Sequence, residues 1–327
     1  MKGVFYNSTP AACSIYETGK MCYNALKTST KYALEYTEAT TFDCKAPVDF
    51  AIFNHHVTTC NWMCKETFNG YKGKLFCIVT EVTFAAGNPI GLSPNYFHHY
   101  IVLDPTIPET AKIHAFPRPL QSFAVATEFK DPGYPVIGSF GFPHGGKDWH
   151  LIVEAVQKEY DTALIKFHIP VATYLTLPLS LSLIEEIKAK CKAVLRKPGV
   201  KLEITSTYMN DVELVRWCGQ NTINCFFYCR EHVSRAGLSA TVDQALASKR
   251  PLLTTQDRTF RHVLTKLKPY PKTSIAEAIA TTKPIVEDIC RAWSTPNFVA
   301  KFESLLLCLF LFVLMFKKKQ TTCILKI

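Results

Sequence analysis

Three stretches of the sequence carry residue types that could do chemistry together. The first runs Gly138-Ser-Phe-Gly-Phe-Pro-His-Gly-Gly-Lys-Asp-Trp149 and joins a strand-like run to an apolar helical stripe. Gly138, Ser139 and Gly141 let a backbone approach a ligand closely. A helix start presents unpaired N–H groups, and Lys147 adds a point charge. Together they read as an anion pocket, or as a plain strand–helix turn. Lys147 is followed by Asp148, so this is no Walker loop, and the spacing of Gly138 and Gly141 is not that of a dinucleotide fingerprint. The second stretch is Ser234-Arg-Ala-Gly-Leu-Ser-Ala-Thr-Val-Asp-Gln-Ala-Leu-Ala-Ser-Lys-Arg-Pro251. Ser239 suits a helix N-cap. Asp243, one turn later, is placed either to reach a cleft rim and accept hydrogen bonds from ribose or sugar hydroxyls, or simply to sit at the favourable end of the helix dipole. The third set lies in the first half. His55 and His56 close the apolar run 50–54, and Glu81 sits near the end of the apolar run 75–82. Such groups act as a base, orient a substrate, or serve as ordinary loop hydrogen-bonders. His144 and Arg118 are softer candidates. His98 and His99 read as a solvated loop pair.

These residues need elements to hold them. Strand-like runs fall at 2–6, 32–36, 50–54, 75–82 and 100–103, with a helix-compatible stretch at 11–25. The near-continuous apolar character of 75–82 is that of a strand covered on both faces. A Pro-rich break follows at 116–119 and 131–135, which reads as a linker. A second alternating block starts at Val136. Trp149, Ile152, Val153, Val156 and Tyr160 repeat at helical spacing. Further strands are expected at 163–169, 201–206, 223–228 and 251–254. Helices are expected at 181–195, 211–219, around 238–246, at 275–281, at 284–292 and from Pro296. The pattern predicts an α/β chain of two Rossmann-like parallel-sheet domains facing a cleft. Residues 1–120 would form an acceptor-side domain, 121–135 the linker, 136–304 a ligand-binding domain with a helix that crosses back, and 305–327 a tail.

The two loops of the second block, in this order, resemble the C-terminal half of GT-B glycosyltransferases of the group 1, sugar-nucleotide-dependent kind. There a strand–Gly loop–Lys–helix unit is followed by an element reading Glu, seven residues, Glu-Ala-Met-Ala-x-Gly-x-Pro. Val136-Ile-Gly-Ser with Gly-Lys147-Asp-Trp resembles the first, and Gly237-Leu-Ser with Asp243-Gln-Ala-Leu-Ala-Ser-Lys-Arg-Pro251 the second. The likeness covers residues 136–304, and residues 1–120 only as an α/β pattern. It implies that Lys147 and the amides of Gly237, Leu238 and Ser239 hold the diphosphate of a nucleotide-sugar donor, and that Asp243 holds the ribose. Counted back from Pro251 the family's second Glu falls on Gln244, one residue past Asp243; counted eight back from Asp243 the first falls on Arg235, so the acid pair is not intact. Arg235 would then serve the diphosphate. Glu81 stands about where the family has a His facing the sugar. The implied activity is transfer of a sugar to a hydroxyl acceptor (glycan, lipid or protein), with the nucleotide sugar as substrate and no cofactor or metal. A sugar-nucleotide epimerase on the same fold, and a non-catalytic two-domain nucleotide-sugar binder, are the rival readings; the Arg at 235 favours the second.

Composition narrows the field. The chain has 327 residues, 48% hydrophobic and 20% charged, which excludes disorder. The net charge of +10 includes Lys317, Lys318, Lys319 and Lys326 in a tail without acids, leaving +6 on residues 1–304. No dense basic stripe interleaves with aromatics, so nucleic acid is not the expected partner. Thirteen cysteines without a signal peptide suggest reduced thiols in a cytoplasmic setting. Cys60/Cys64 and Cys225/Cys229 lack zinc-knuckle spacing. Residues 305–316 are all apolar, a run of about 18 Å as helix, short for a membrane span. With Lys317–Lys319 the run suits packing as a helix end, a peripheral membrane contact, or a frayed terminus.

Overall fold

The computed structural model describes residues 1–8, 14–56, 60, 62–83, 90–91, 93–120, 129–172, 175–229 and 235–308. The first half comprises β1 (Lys2–Tyr6), α1 (Ser14–Leu26), β2 (Ala33–Thr37), β3 (Phe50–His55), β4 (Lys74–Val79), β5 (Glu81–Thr83), β6 (His99–Val102) and β7 (Ile113–Ala115). Six of these strands form a parallel sheet in the order β2-β1-β3-β4-β6-β7. All six residues of β3 are buried, as an apolar strand sandwiched between two layers requires.

The second half comprises β8 (Val136–Phe140), α2 (Trp149–Glu159), β9 (Ala163–His168), α3 (Leu177–Val194), β10 (Val200–Thr205), α4 (Asp211–Gly219), β11 (Ile223–Phe226), β12 (Arg235–Gly237), α5 (Ala240–Ala247), β13 (Leu252–Thr254), α6 (Arg261–Leu264), α7 (Ile275–Ala292) and α8 (residues 295–308). Its parallel sheet runs β10-β9-β8-β11-β13. Strand order reverses between β8 and β11 here, and between β1 and β3 in the first sheet. Loops leaving neighbouring strands diverge at such points and leave a crevice beyond the carboxyl ends.

Some elements depart from the sequence expectation. The run 75–82 is not one strand. It breaks at the buried Thr80, and β5 leaves the sheet to pair antiparallel with β12, setting Glu81 opposite Gly237 and Val82 opposite Ala236. The helical stretches at 275–281 and 284–292 are one helix, α7, with Pro284 inside it. Pro284 is exposed, so the carbonyl it leaves without an amide partner can be hydrated. α3 starts four residues earlier than expected, at Leu177, with Pro178 in its first turn where no amide partner is lost. The strand β7 was not expected.

The last helix returns to the first sheet. Phe298, Val299, Phe302 and Leu306 of α8 are buried in one cluster with Phe5, Phe50 and Phe76. The Phe302 ring lies 5.8, 6.0 and 5.4 Å from those of Tyr32, Phe50 and Phe76. Of the expected tail, residues 305–308 belong to α8 and the rest lies outside the described residues, as does 121–128 of the linker. No described helix is long and apolar enough to cross a membrane.

Candidate functional site

β8 ends at Phe140, and the chain turns at Gly141, whose φ of +135° favours glycine. A Cβ there would collide with the Lys147 ammonium. The following loop is sewn to the chain beyond β11: Asp148 N donates to Phe227 O at 2.8 Å, and Cys229 N to Gly146 O at 3.1 Å. Lys147 Nζ is thereby set 5.5 Å from the centroid of the Tyr228 ring, and it donates to Phe142 O at 3.1 Å. The Tyr228 hydroxyl lies 3.2 Å from Thr241 Oγ1, which lies 2.7 Å from Ser239 Oγ. An ammonium, three hydroxyls and the first turn of α5 thus converge at the crevice between β8 and β11. Ser239 occupies the N-cap position as expected, yet its side chain caps no backbone amide, being turned to Thr241. The first amides of a helix have no intrahelical acceptor, so this end suits an anion. The sequence pattern does not single out Tyr228 or Thr241: Thr241 lies within the α5 motif without a signal of its own, and Tyr228 reads as the end of a strand.

Other expected site residues are placed differently. Gly138 and Ser139 lie within β8, not in the loop, and Ser139 is buried. The missing Cβ of Gly138 makes room for Asn221, whose Nδ2 donates to Asn224 Oδ1 at 2.8 Å. That glycine serves packing. Asp243 does not reach a rim: it is buried, with Oδ2 accepting from Arg118 Nη1 at 2.9 Å and Oδ1 from His262 Nε2 at 3.1 Å. Its helical face is the one turned to the core, so the carboxylate entered a buried ion pair instead of a ribose-facing position. Burial raises an acid, but the hydrogen bonds and charges of His262 and Arg118 hold Asp243 below the usual carboxylate range. The role expected of the Arg235 side chain lies outside the described residues; its backbone is in β12. Gln244 Nε2 donates to Asp211 Oδ1 at 2.9 Å.

Across the cleft, His56 Nε2 lies 3.5 Å from a Glu81 carboxylate oxygen. The position of a Cβ on Gly237 would be 3.4 Å from Glu81 Cγ. Glu81 of the first half, with His56 beside it, therefore sits against Gly237 at the end of β12. His55 points to the other face, its ring 6.2 Å from Phe97, and burial beside His56 pushes it down to about 4. It is neutral and in the core. His99 is no solvated residue either: it is buried, with Nδ1 3.2 Å from His114 Nε2. His144 Nδ1 lies 2.6 Å from Gly145 O. Among the described residues no three His, Cys, Asp or Glu side chains gather as metal ligands.

A cavity of about 350 Å³ opens beside the carboxyl end of β10, lined by Thr207, Tyr208, Met209, Glu213, Arg216 and Trp217. Tyr208 is 82% exposed. The Trp217 ring, on the inner side of the cavity, lies 6.2 Å from that of Phe140 in the core.

No protein-family model matches the sequence, and no curated protein matches it. Solved structures do. HepE of Anabaena in complex with UDP superposes with a TM-score of 0.64 at 9% identity, covering 94% of this chain and 100% of that one. The lipopolysaccharide outer core galactosyltransferase WaaB, in its apo form, gives 0.60 at 11% identity, covering 94% and 99%. A glycosyltransferase of Rickettsia africae gives 0.60 at 11%, covering 93% and 97%. The chain has the two-sheet fold of these proteins, over nearly the whole length of each.

Proposed function

We propose, proceeding from the fold shared with HepE, WaaB and the Rickettsia protein, that this chain transfers a sugar from a nucleoside-diphosphate donor to a hydroxyl acceptor. The observation that carries the reading is the convergence of Lys147, Tyr228, Thr241 and Ser239 on the start of α5. A departing diphosphate gathers negative charge. A fixed ammonium, hydroxyl donors and helix amides placed beforehand stabilise that charge without reorganising. HepE holds UDP in the same fold, which supports a nucleotide in this crevice. The exposed Tyr208 ring beside the cavity of about 350 Å³ at the carboxyl end of the second sheet is the surface we assign to the base.

The acceptor enters from the first sheet. Glu81, steered by His56 at 3.5 Å, faces the Gly237 turn from that side. Its carboxylate takes the proton of the attacking hydroxyl, and the pair orients the sugar. The remaining tail, with its apolar run and Lys317–Lys319, makes a peripheral contact with an anionic membrane. Replacing the three lysines by Gln should lower flotation with phosphatidylglycerol vesicles and leave transfer to a soluble acceptor intact.

The experiment is incubation with UDP-, GDP- and ADP-sugars, with and without candidate acceptors, following nucleoside diphosphate release. Transfer predicts acceptor-dependent release that Lys147→Ala and Glu81→Gln both lower by at least about tenfold. Ligand-induced melting shifts with no release under any condition would make the protein a binder.

A further inference from the structure

The residue that locks Asp243 comes from the other half of the molecule. We infer that Arg118 is a positioning residue for the diphosphate loop, and that Asp243 serves as its counter-ion and not as a ribose ligand. The inference rests on the donor reading for its substrate, but its geometry stands without it.

Arg118 lies three residues beyond β7, between Pro117 and Pro119, whose rings restrict the backbone that carries it. Its guanidinium spends one nitrogen on each of two acceptors. Nη1 donates to Asp243 Oδ2 at 2.9 Å, and Nη2 to the carbonyl of Leu238 at 3.0 Å. Both charged side chains are 7% exposed. The carbonyl of Leu238 and the amide of Ser239 belong to one peptide group. That amide donates to Thr259 O at 3.0 Å. The peptide is therefore gripped at both ends, by Arg118 from one half and by Thr259 from the other. The next residue, Ala240, opens α5. The tilt of this one peptide plane decides where Ser239 Oγ and the first α5 amides aim. Those are the groups proposed to meet the diphosphate.

Asp243 completes the grip. Its second oxygen takes His262 Nε2, and the His262 ring stacks 5.6 Å from Trp293 at 20°. Each Asp243 oxygen keeps a lone pair, but the carboxylate is only 7% exposed and turned to Arg118 and His262, so a ribose hydroxyl could reach it only by opening the buried cluster. Arg118 fits the site where Lys would not, because one planar fork must serve a carboxylate and a carbonyl at once.

Binding and exchange measurements separate these roles. The variants are Arg118→Lys and Asp243→Asn. Asp104→Asn is the control, because it breaks a second ion pair between the halves, that with Arg261, without touching the 237–241 turn. Calorimetric titration uses UDP and, separately, inorganic pyrophosphate, which has no ribose. We expect Arg118→Lys to raise the UDP Kd by at least about tenfold and to raise the donor KM in step. We expect Asp243→Asn to weaken UDP and pyrophosphate by the same factor. Hydrogen exchange without ligand should quicken at amides 239–242 in both variants and stay at the wild-type rate in Asp104→Asn. Loss of UDP but not pyrophosphate binding in Asp243→Asn would restore the ribose role and overturn the inference. So would wild-type exchange in Arg118→Lys, or an equal change in Asp104→Asn. If the wild type binds no nucleotide, the donor reading falls, and the exchange comparison alone still decides whether Arg118 positions the turn.

Discussion

Gly141 and Lys147 share one small space. The ammonium occupies the volume that any side chain at 141 would need, and the backbone there has a φ that L-residues avoid. Gly141→Ala should therefore cost about 1–2 kcal/mol of stability and displace Lys147 as well. Isothermal titration should find UDP binding weakened almost as much as in Lys147→Ala. An alanine variant that binds UDP like the wild type would separate Lys147 from the phosphates. His55 makes a second prediction at this scale, about stability and not turnover. Its imidazole resists protonation until about 4, whereas an unfolded chain takes the proton near the ordinary value of about 6.5. Between those values the unfolded state binds more protons, so stability falls as pH drops through that window. The loss from His55 alone is about 2 kcal/mol between pH 7.5 and 5. Urea unfolding at the two pH values should show a smaller difference in His55→Gln than in the wild type, and equal differences would refute this account.

Elements were legible where covalent pattern and burial agree. The stripe of Trp149, Ile152, Val153 and Val156 announces α2, and all four are buried. The apolar run of β4 likewise identifies a strand covered on both faces. What stayed hidden depends on partners distant in sequence. Nothing in Glu81–Thr83 indicates that it leaves its sheet for Arg235–Gly237, because a strand's apolar pattern does not name its neighbour. The burial of Asp243 was hidden for the same reason: its partner Arg118 lies in the other half. That Gly141 and Lys147 lie in one loop follows from their spacing, whereas Tyr228 joins Lys147 only through folding. Pro284 marks an element-scale weakness. Position 284 is deep within α7 and exposed, so the proline forfeits a hydrogen bond without a packing return. Pro284→Ala should stabilise by roughly 1–3 kcal/mol, seen as a raised melting temperature at unchanged transfer rate; an unchanged or lowered melting temperature would mean that the proline is not a weak point of α7.

At the scale of the molecule, the surplus positive charge of residues 1–304 lies wholly in residues 136–304, residues 1–135 being neutral. The half proposed to hold a diphosphate is the half that carries the charge. The two halves are also bound to one fate. The β5–β12 ladder, the Arg118–Asp243 pair and the Arg261–Asp104 pair, at 2.5 Å, all cross between them. The chain closes the loop a fourth time, since α8 follows the second sheet in sequence and fills the core of the first. Truncating a ring this deep in a core typically costs about 3–5 kcal/mol. In Phe302→Ala that cost falls on the first half alone, although the residue lies beyond the last strand of the second. Scanning calorimetry should show one transition for the wild type, because the shared contacts couple the halves, and a first half melting earlier in the variant. Tryptophan reports the order once Trp62, which packs on the first-half core, is replaced by Phe: Trp149, Trp217 and Trp293 are buried in the second half, so the remaining emission should change only at the later transition. If the variant still melts in one step at a lowered temperature, coupling through the three crossing contacts outweighs the lost ring. If the wild type itself melts in two, those contacts do not couple the halves, and opening of the cleft is a cheaper motion than the buried pairs imply.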